Sequence, residues 1–225
     1  SASVSVIVGP AGGGDPTLVA HWKFDETTGA VAADASGYAN NGTLTSGPAW
    51  TGGKQANALA FDGIDDYVLV NHSGSLAIGQ NNADFSAAFF LNLRQGTTGL
   101  WRSLIHKGAI NDERTFGIWA FNTDNRLAYQ VSTSAAWVES GTSAAQIPLN
   151  QWVHIAFVKS GNAIRLYING VLDSQRTLNG SVIGNSGPLY IGKDPWHSGA
   201  DSLMDDVRIY NRALSASEIA TLAGI

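Results

Sequence analysis

The chain contains no cysteine. Disulfides and thiolate metal sites are therefore excluded, although export is not. Charge is scarce as well: 14% of residues are Asp, Glu, Lys or Arg, against about 25% in an average globular protein. The balance is acidic, with a formal net charge of −5. No basic run is available to neutralise phosphates, which excludes nucleic acid as a partner. No apolar run approaches the roughly 18 residues of a membrane span, so no membrane partner is expected. A signal-peptide pattern is also missing, as it would be from a mature or excised chain. Glutamate is rare too: Glu26, Glu113, Glu139 and Glu218 are the four present, widely scattered.

What is present points to β-structure. A length of 225 residues suits one large all-β unit. At 44% hydrophobic, with seven Trp, eight Phe and six Tyr, the chain can bury a large core. Its 26 glycines, with abundant Ser, Thr and Asn, suit short strands joined by tight turns. Residues 1–8, "SASVSVIV", alternate small-polar and apolar and read as a strand. "GPAGGGDPT" (9–17) reads as a linker. A lone strand before a linker has no sequential partner, so 1–8 is taken as the remnant of a preceding domain or as an extension. The edge of the main domain is its other reading. The main domain spans 18–225.

From Leu18 onward, strand signals recur at 18–24, 54–61, 65–70, 84–93, 102–108, 115–122 and 126–132. They continue at 151–161, 163–172, 188–192 and 203–211. Turn markers stand between them at Asp124-Asn125, Gly161-Asn162, Asn169-Gly170 and Gly184-Asn185. Only 215–225 reads as helix, with Ser215 as N-cap and Glu218 completing a capping box. The expectation is an all-β, two-sheet antiparallel sandwich with a short C-terminal helix.

Five segments, "LVAHWKFDETTG", "DASGYANNGTL", "ALAFDGIDDYVLV", "QWVHIAFVKSGNAIRLYINGVL" and "LMDDVRIYNRALSASEI", together resemble the laminin-G-like jelly-roll domains of the concanavalin A-like lectin/glucanase superfamily. The resemblance covers about residues 18–222 and implies a jelly roll with one concave face. It also implies a calcium ion on the rim and a place in secreted proteins that degrade polysaccharides or adhere.

Catalysis would have to rest on the carboxylates. Glycoside hydrolysis uses two carboxylates about 5–10 Å apart, one of them kept protonated. The scattered glutamates form no such cluster, and Asp62, Asp65 and Asp66 lie at a strand entry. No catalytic residue is assigned. Calcium suits the oxygen donors better. The candidate ligands are Asp25, Asn41, the Gly42 carbonyl, Asp62 and Asp205. Period two places Asp205 inward with Val207 and Ile209, while Asp206, Arg208 and Tyr210 point out. A buried carboxylate must be paired or metal-bound, and Asp25 is placed to meet Asp205. Asp65 and Asp66 are read as turn residues facing solvent.

Sugars expose apolar C–H faces that stack on aromatic rings. Trp22, Trp50 and Trp152 fall in segments that match the family's structural positions, and the resemblance implies that they are core. Trp196 lies in the turn-rich "KDPWHSGAD", flanked by Lys193, Asp194 and His197, where an exposed Trp needs a reason. Trp119, Tyr129 and Trp137 are expected to share an aromatic strip, with Trp101, Arg102 and Arg126 as further ligand contacts. The basic residues Arg94, Arg102, His106, Lys107, Arg114 and Arg126 would favour an anionic polysaccharide if they line the same face.

The resulting expectation is a monomeric, calcium-stabilised carbohydrate-binding module of a secreted bacterial polysaccharide-degrading protein. Its partners would be a poly- or oligosaccharide and neighbouring domains of the same polypeptide. The rival readings are an adhesion or protein-interaction module and a divergent jelly-roll glycosidase or lyase.

Overall fold

The computed structural model describes residues 14–109 and 114–225. The strand expected at 1–8 and linker residues 9–13 lie outside the described residues. Asp15, Pro16 and Thr17 at the linker's end form a turn: the Asp15 carboxylate accepts the Thr17 amide at 2.9 Å. Arg212 pairs with the same Asp15 carboxylate at 3.4 Å.

In chain order the strands are β1 (Leu18–Trp22), β2 (Val31–Ala32), β3 (Gly42–Thr45), β4 (Ala49–Gly52), β5 (Asn57–Asp62) and β6 (Tyr67–Val70). Then come β7 (Phe85–Leu93), β8 (Arg102–Lys107), β9 (Phe116–Ala120), β10 (Arg126–Val131) and β11 (Glu139–Gln146). The last are β12 (Trp152–Ser160), β13 (Ala163–Ile168), β14 (Val171–Thr177), β15 (Leu189–Ile191) and β16 (Asp201–Tyr210). Helix α1 (Ala216–Ala223) follows. Sheet 1 has the order β14-β13-β12-β7-β16-β5-β4, with β1 also paired to β16. Sheet 2 has the order β11-β10-β9-β8-β15-β6-β3-β2. The named strands pair antiparallel, giving the expected two-sheet sandwich.

Strands β2, β3, β4 and β11 carry no apolar alternation and were not apparent from the sequence. The segment 163–172 is two strands, because Asn169 (φ 49°) and Gly170 (φ 78°) make a left-handed two-residue turn between them.

Alternate residues of strands such as β7, β9 and β12 enter the core. Phe85, Phe116 and Phe157 meet there with ring centroids 5.6 to 6.0 Å apart. Trp22 is fully buried and donates its indole N–H to the Asn40 carbonyl at 2.8 Å. On the outer side of sheet 1 a second apolar cluster joins Ala88, Ala156, Val158, Tyr167 and Tyr210 to Leu214 and Ile219. Helix α1 is thereby anchored across part of that face. Its capping box is formed as expected: the Glu218 amide reaches Ser215 Oγ at 3.3 Å, and the Ser215 amide reaches Glu218 Oε2 at 2.8 Å. The outer face of sheet 2 carries no helix among the described residues.

Candidate functional site

Period two along β9 sends Phe116, Ile118 and Ala120 into the core and turns Gly117 and Trp119 outward on sheet 2. Directly paired residues share a face, so Gln130, Gly117, His106 and Tyr190 form one outward row across β10, β9, β8 and β15. Gly117 matters sterically: a Cβ there would collide with the Trp119 ring, which lies over it.

The loop 193–199 folds onto this face through Asp194. That carboxylate is 1% exposed. It accepts the Trp119 indole N–H at 2.5 Å, the amides of Trp196 and His197 at 2.7 and 2.6 Å, and faces His197 Nδ1 at 2.9 Å. Burial alone would raise its pKa, but the bonds and charge of His197 and the Trp119 donor hold it below the ordinary range. Trp196, 39% exposed, stands edge-on to His106 at 5.2 Å. The Arg114 guanidinium lies 5.2 Å from the Trp196 ring and 5.8 Å from Trp119, and Nη1 donates to Gln130 Oε1. Lys193 sits 5.7 Å from the Tyr67 ring, which packs on Tyr190.

Four of the expected ligand contacts, Trp119, Lys193, Trp196 and His197, therefore come together. Trp137 is exposed in the connection after β10. Its carbonyl accepts the hydroxyl of Ser132, the group that also receives the Arg114 amide. Trp101 and Arg126 gather separately around Phe121, at 5.1 and 5.4 Å, and Arg102 turns to the Gly63 carbonyl. The basic residues of 94–126 consequently do not line one face. Tyr129 is the correction: it pairs with the inward Ile118, is 2% exposed and packs on Phe157 at 5.7 Å inside the sandwich. No Trp119–Tyr129–Trp137 strip exists. Asp194 and Tyr190 were not singled out as contacts, although alternation in "PLYIG" already turns Tyr190 outward. Arg114 enters the sequence reading as a member of a basic group, and His106 as a member of that group and as a candidate base for the lyase alternative.

A second polar site lies on the outer face of sheet 1. Asp206 has φ 54°, and β16 pairs Asp205 with Phe90 but Arg208 with Ala88. Two residues thus oppose one, a β-bulge that resets the alternation. Met204 takes the core position, and Asp205, expected to point inward, points outward instead. It is still fully buried. Its Oδ2 accepts the Gln55 amide at 2.8 Å, while Oδ1 has no partner. With His21, Asp25, Asp206 and Arg208 it lines a pocket of about 290 Å³. Asp206 is paired with His21 at 2.6 Å and Arg208 at 2.9 Å. Burial pushes Asp205 up to about 6, opposed by the Gln55 amide and reinforced by Asp206 and Asp25.

Asp25 and Asp205 are thus brought to one pocket, which the basic side chains of His21, Lys23 and Arg208 also line. Asp62 instead groups with Asp65 and Asp66, ligand atoms within 4.8 Å of one another. Asp66 does not face solvent as expected: it is buried and accepts the Asp62 amide at 3.0 Å. Burial, with the charges of Asp62 and Asp65, raises its pKa. Asn41 Oδ1 accepts the Asp34 amide at 2.8 Å, and Gly42 is packed within sheet 2. Glu26, Glu139 and Glu218 each accept backbone amides, Glu139 that of the distant Asn179.

The family model for the concanavalin A-like lectin/glucanases superfamily, laminin-G-like branch, matches residues 61–220. The chain belongs to this superfamily. A search of the curated proteins finds no match. Among solved structures, this superfamily member is similar to domain 4 of AbnA, a GH43 extracellular arabinanase from Geobacillus stearothermophilus, solved in complex with arabinotriose. The TM-score is 0.75 at 23% identity, over 92% of this chain and 98% of that one. It is also similar to the binding domain of Paraclostridial Mosquitocidal Protein 1, with TM-score 0.77 and 18% identity, over 92% of this chain and 52% of that one. A third similar structure is a Trypanosoma rangeli sialidase, with TM-score 0.68 and 17% identity, over 97% of this chain and 35% of that one. At these identities the likeness establishes the fold, shared chiefly with binding domains.

Proposed function

We propose that this lectin-like domain is a non-catalytic carbohydrate-binding module that brings a secreted bacterial polysaccharide-degrading protein to its glycan. The observation that carries the reading is Trp196, half-exposed on a loop pinned by Asp194 and flanked by Arg114 and His197. Such a ring offers a flat apolar platform for a sugar, and the groups around it can bond hydroxyls. Arg114 and Lys193 favour an acidic polysaccharide. The arabinotriose complex of a similar domain supports a sugar ligand.

The test is a panel of arabinotriose, xylotriose, cellotriose, galactotriose and trigalacturonate, with affinity gels of the parent polymers. At least one should bind. Trp196→Ala should then weaken binding about 30-fold, the effect of losing an anchor of roughly 2 kcal/mol. Silence on the whole panel together with capture of a protein ligand would establish the adhesion reading instead. Product release by the isolated chain would establish the glycosidase or lyase.

We further propose a structural calcium ion at Asp25 and Asp205. A carboxylate whose folded pKa is raised favours the fold below its unfolded pKa of about 4 and loses that advantage as pH rises. In calcium-free buffer, stability should fall by about 2–3 kcal/mol between about pH 4 and pH 7. Asp205→Asn, which keeps an acceptor for the Gln55 amide, should flatten that slope. Added calcium should raise the melting temperature at pH 7 in the native chain and much less in Asp205→Asn. No response to calcium or EDTA removes the ion from this site.

A further inference from the structure

Among the described residues, a small set of buried side-chain N and O atoms has no hydrogen-bond partner. Four of them fall beside Trp119: Ser103 Oγ, both ring nitrogens of His106, and Nε of Arg114. Ser103 stands directly across from Trp119 in the ladder and His106 across from Gly117. Both are fully buried, yet both face outward from sheet 2, beneath loop 193–199. The Ser198 carbonyl of that loop accepts the Ser103 amide at 3.0 Å. Buried polar groups without partners destabilise a fold, and each one calls for an explanation. A concentration of four at one spot marks a place shaped for something else.

Trp196 closes this spot. Its amide is tied to Asp194, whereas its indole is held by contact with His106 and the Arg114 guanidinium. Rotation of the indole would uncover the nitrogens without unpinning the loop. The groups beneath are donor-rich: the Arg114 Nε–H, the Ser103 hydroxyl and one imidazole N–H. The cationic side chains acting on His106 include Arg114 and Lys107, while Asp194 is already matched by His197 and the Trp119 indole.

We propose that Ser103, His106 and Arg114 form a subsite under Trp196 that takes the carboxylate of an acidic sugar residue while the indole stacks on its ring. The inference rests on the carbohydrate-binding reading and adds the group recognised. His106 serves there as the neutral imidazole, because burial pushes its pKa down to about 4, partly offset by Asp194.

The experiment titrates trigalacturonate and galactotriose into the full chain and follows affinity together with the ring NMR signals of His106. Trigalacturonate should bind at least tenfold tighter and shift those signals. Arg114→Gln and Ser103→Ala should each erase the preference, and Ser103→Ala should leave the melting temperature unchanged because its hydroxyl is unpaired. Equal affinity for the two sugars overturns the carboxylate assignment. Trigalacturonate binding that is lost in Trp196→Ala but never moves the His106 signals overturns the subsite and leaves the stacking platform standing. Failure of both sugars, with His106 also unmoved by galacturonate in Trp196→Ala, overturns the subsite; the glycan panel then decides the wider reading separately.

Discussion

Asp194→Ala should cost about 3 kcal/mol of stability and lower the melting temperature by about 6–12 °C. One carboxylate receives the Trp119 indole, two loop amides and His197, so its removal leaves several buried donors unmatched at once. The loss should extend to function. With loop 193–199 unpinned, Trp196 no longer holds its place beside Arg114, and retention on any glycan gel that holds the native chain should vanish. Asp194→Asn keeps an acceptor and should lose about half as much. The pH dependence has a defined sign. Because the folded pKa is held below the ordinary carboxylate value, the contribution is present above the unfolded pKa and disappears as pH falls through the folded one. Thermal melts from about pH 7 down to about pH 2.5 should show this loss in the native chain and its absence in Asp194→Asn. An Asp194→Ala variant with native stability and native retention would remove the pinning role.

Trp22→Ala is expected to be the most damaging single change in the core, at about 3–5 kcal/mol. The indole is fully enclosed between the sheets. Its N–H satisfies the Asn40 carbonyl, and the Asn40 side chain in turn holds the Val19 carbonyl at 2.7 Å and Ser75 at 2.9 Å. The substitution therefore opens a cavity and loosens a hydrogen-bonded corner together. Trp50 gives a useful contrast. It is only partly buried, packs on the core from the side, and bonds the Gly29 carbonyl at 3.0 Å. Trp50→Ala should be milder by at least about 1 kcal/mol. Denaturant unfolding of both variants measures the difference, and equal losses would show that the enclosure of Trp22 is not what matters.

The fold was legible because its signals are local. The alternation in "FSAAFFLNL" sends Phe85, Ala87, Phe89 and Leu91 to the core wherever the strand is placed. Asn169-Gly170 turns the chain through its own backbone preference, and Ser215 with Glu218 caps α1 within four residues. The strands missed, β2, β3, β4 and β11, are those whose side chains carry no apolar period. Their pairing comes from neighbours rather than from themselves.

The site was legible only in part. "KDPWHSGAD" signals an exposed Trp, and it holds one. Yet Arg114 and His106 join Trp196 from about eighty to ninety positions away in the chain, through cross-strand register that no local pattern encodes. The aspartates show the same division. Sequence alone determined that Asp205 lies on a strand near the C-terminus, where an isolated carboxylate must be answered. The side it faces was decided by tertiary structure. One left-handed residue, Asp206, bulges β16 against β7 and exchanges the roles of Met204 and Asp205. A period of two runs along a single strand and can be counted, whereas a bulge exists only between two strands once they are paired.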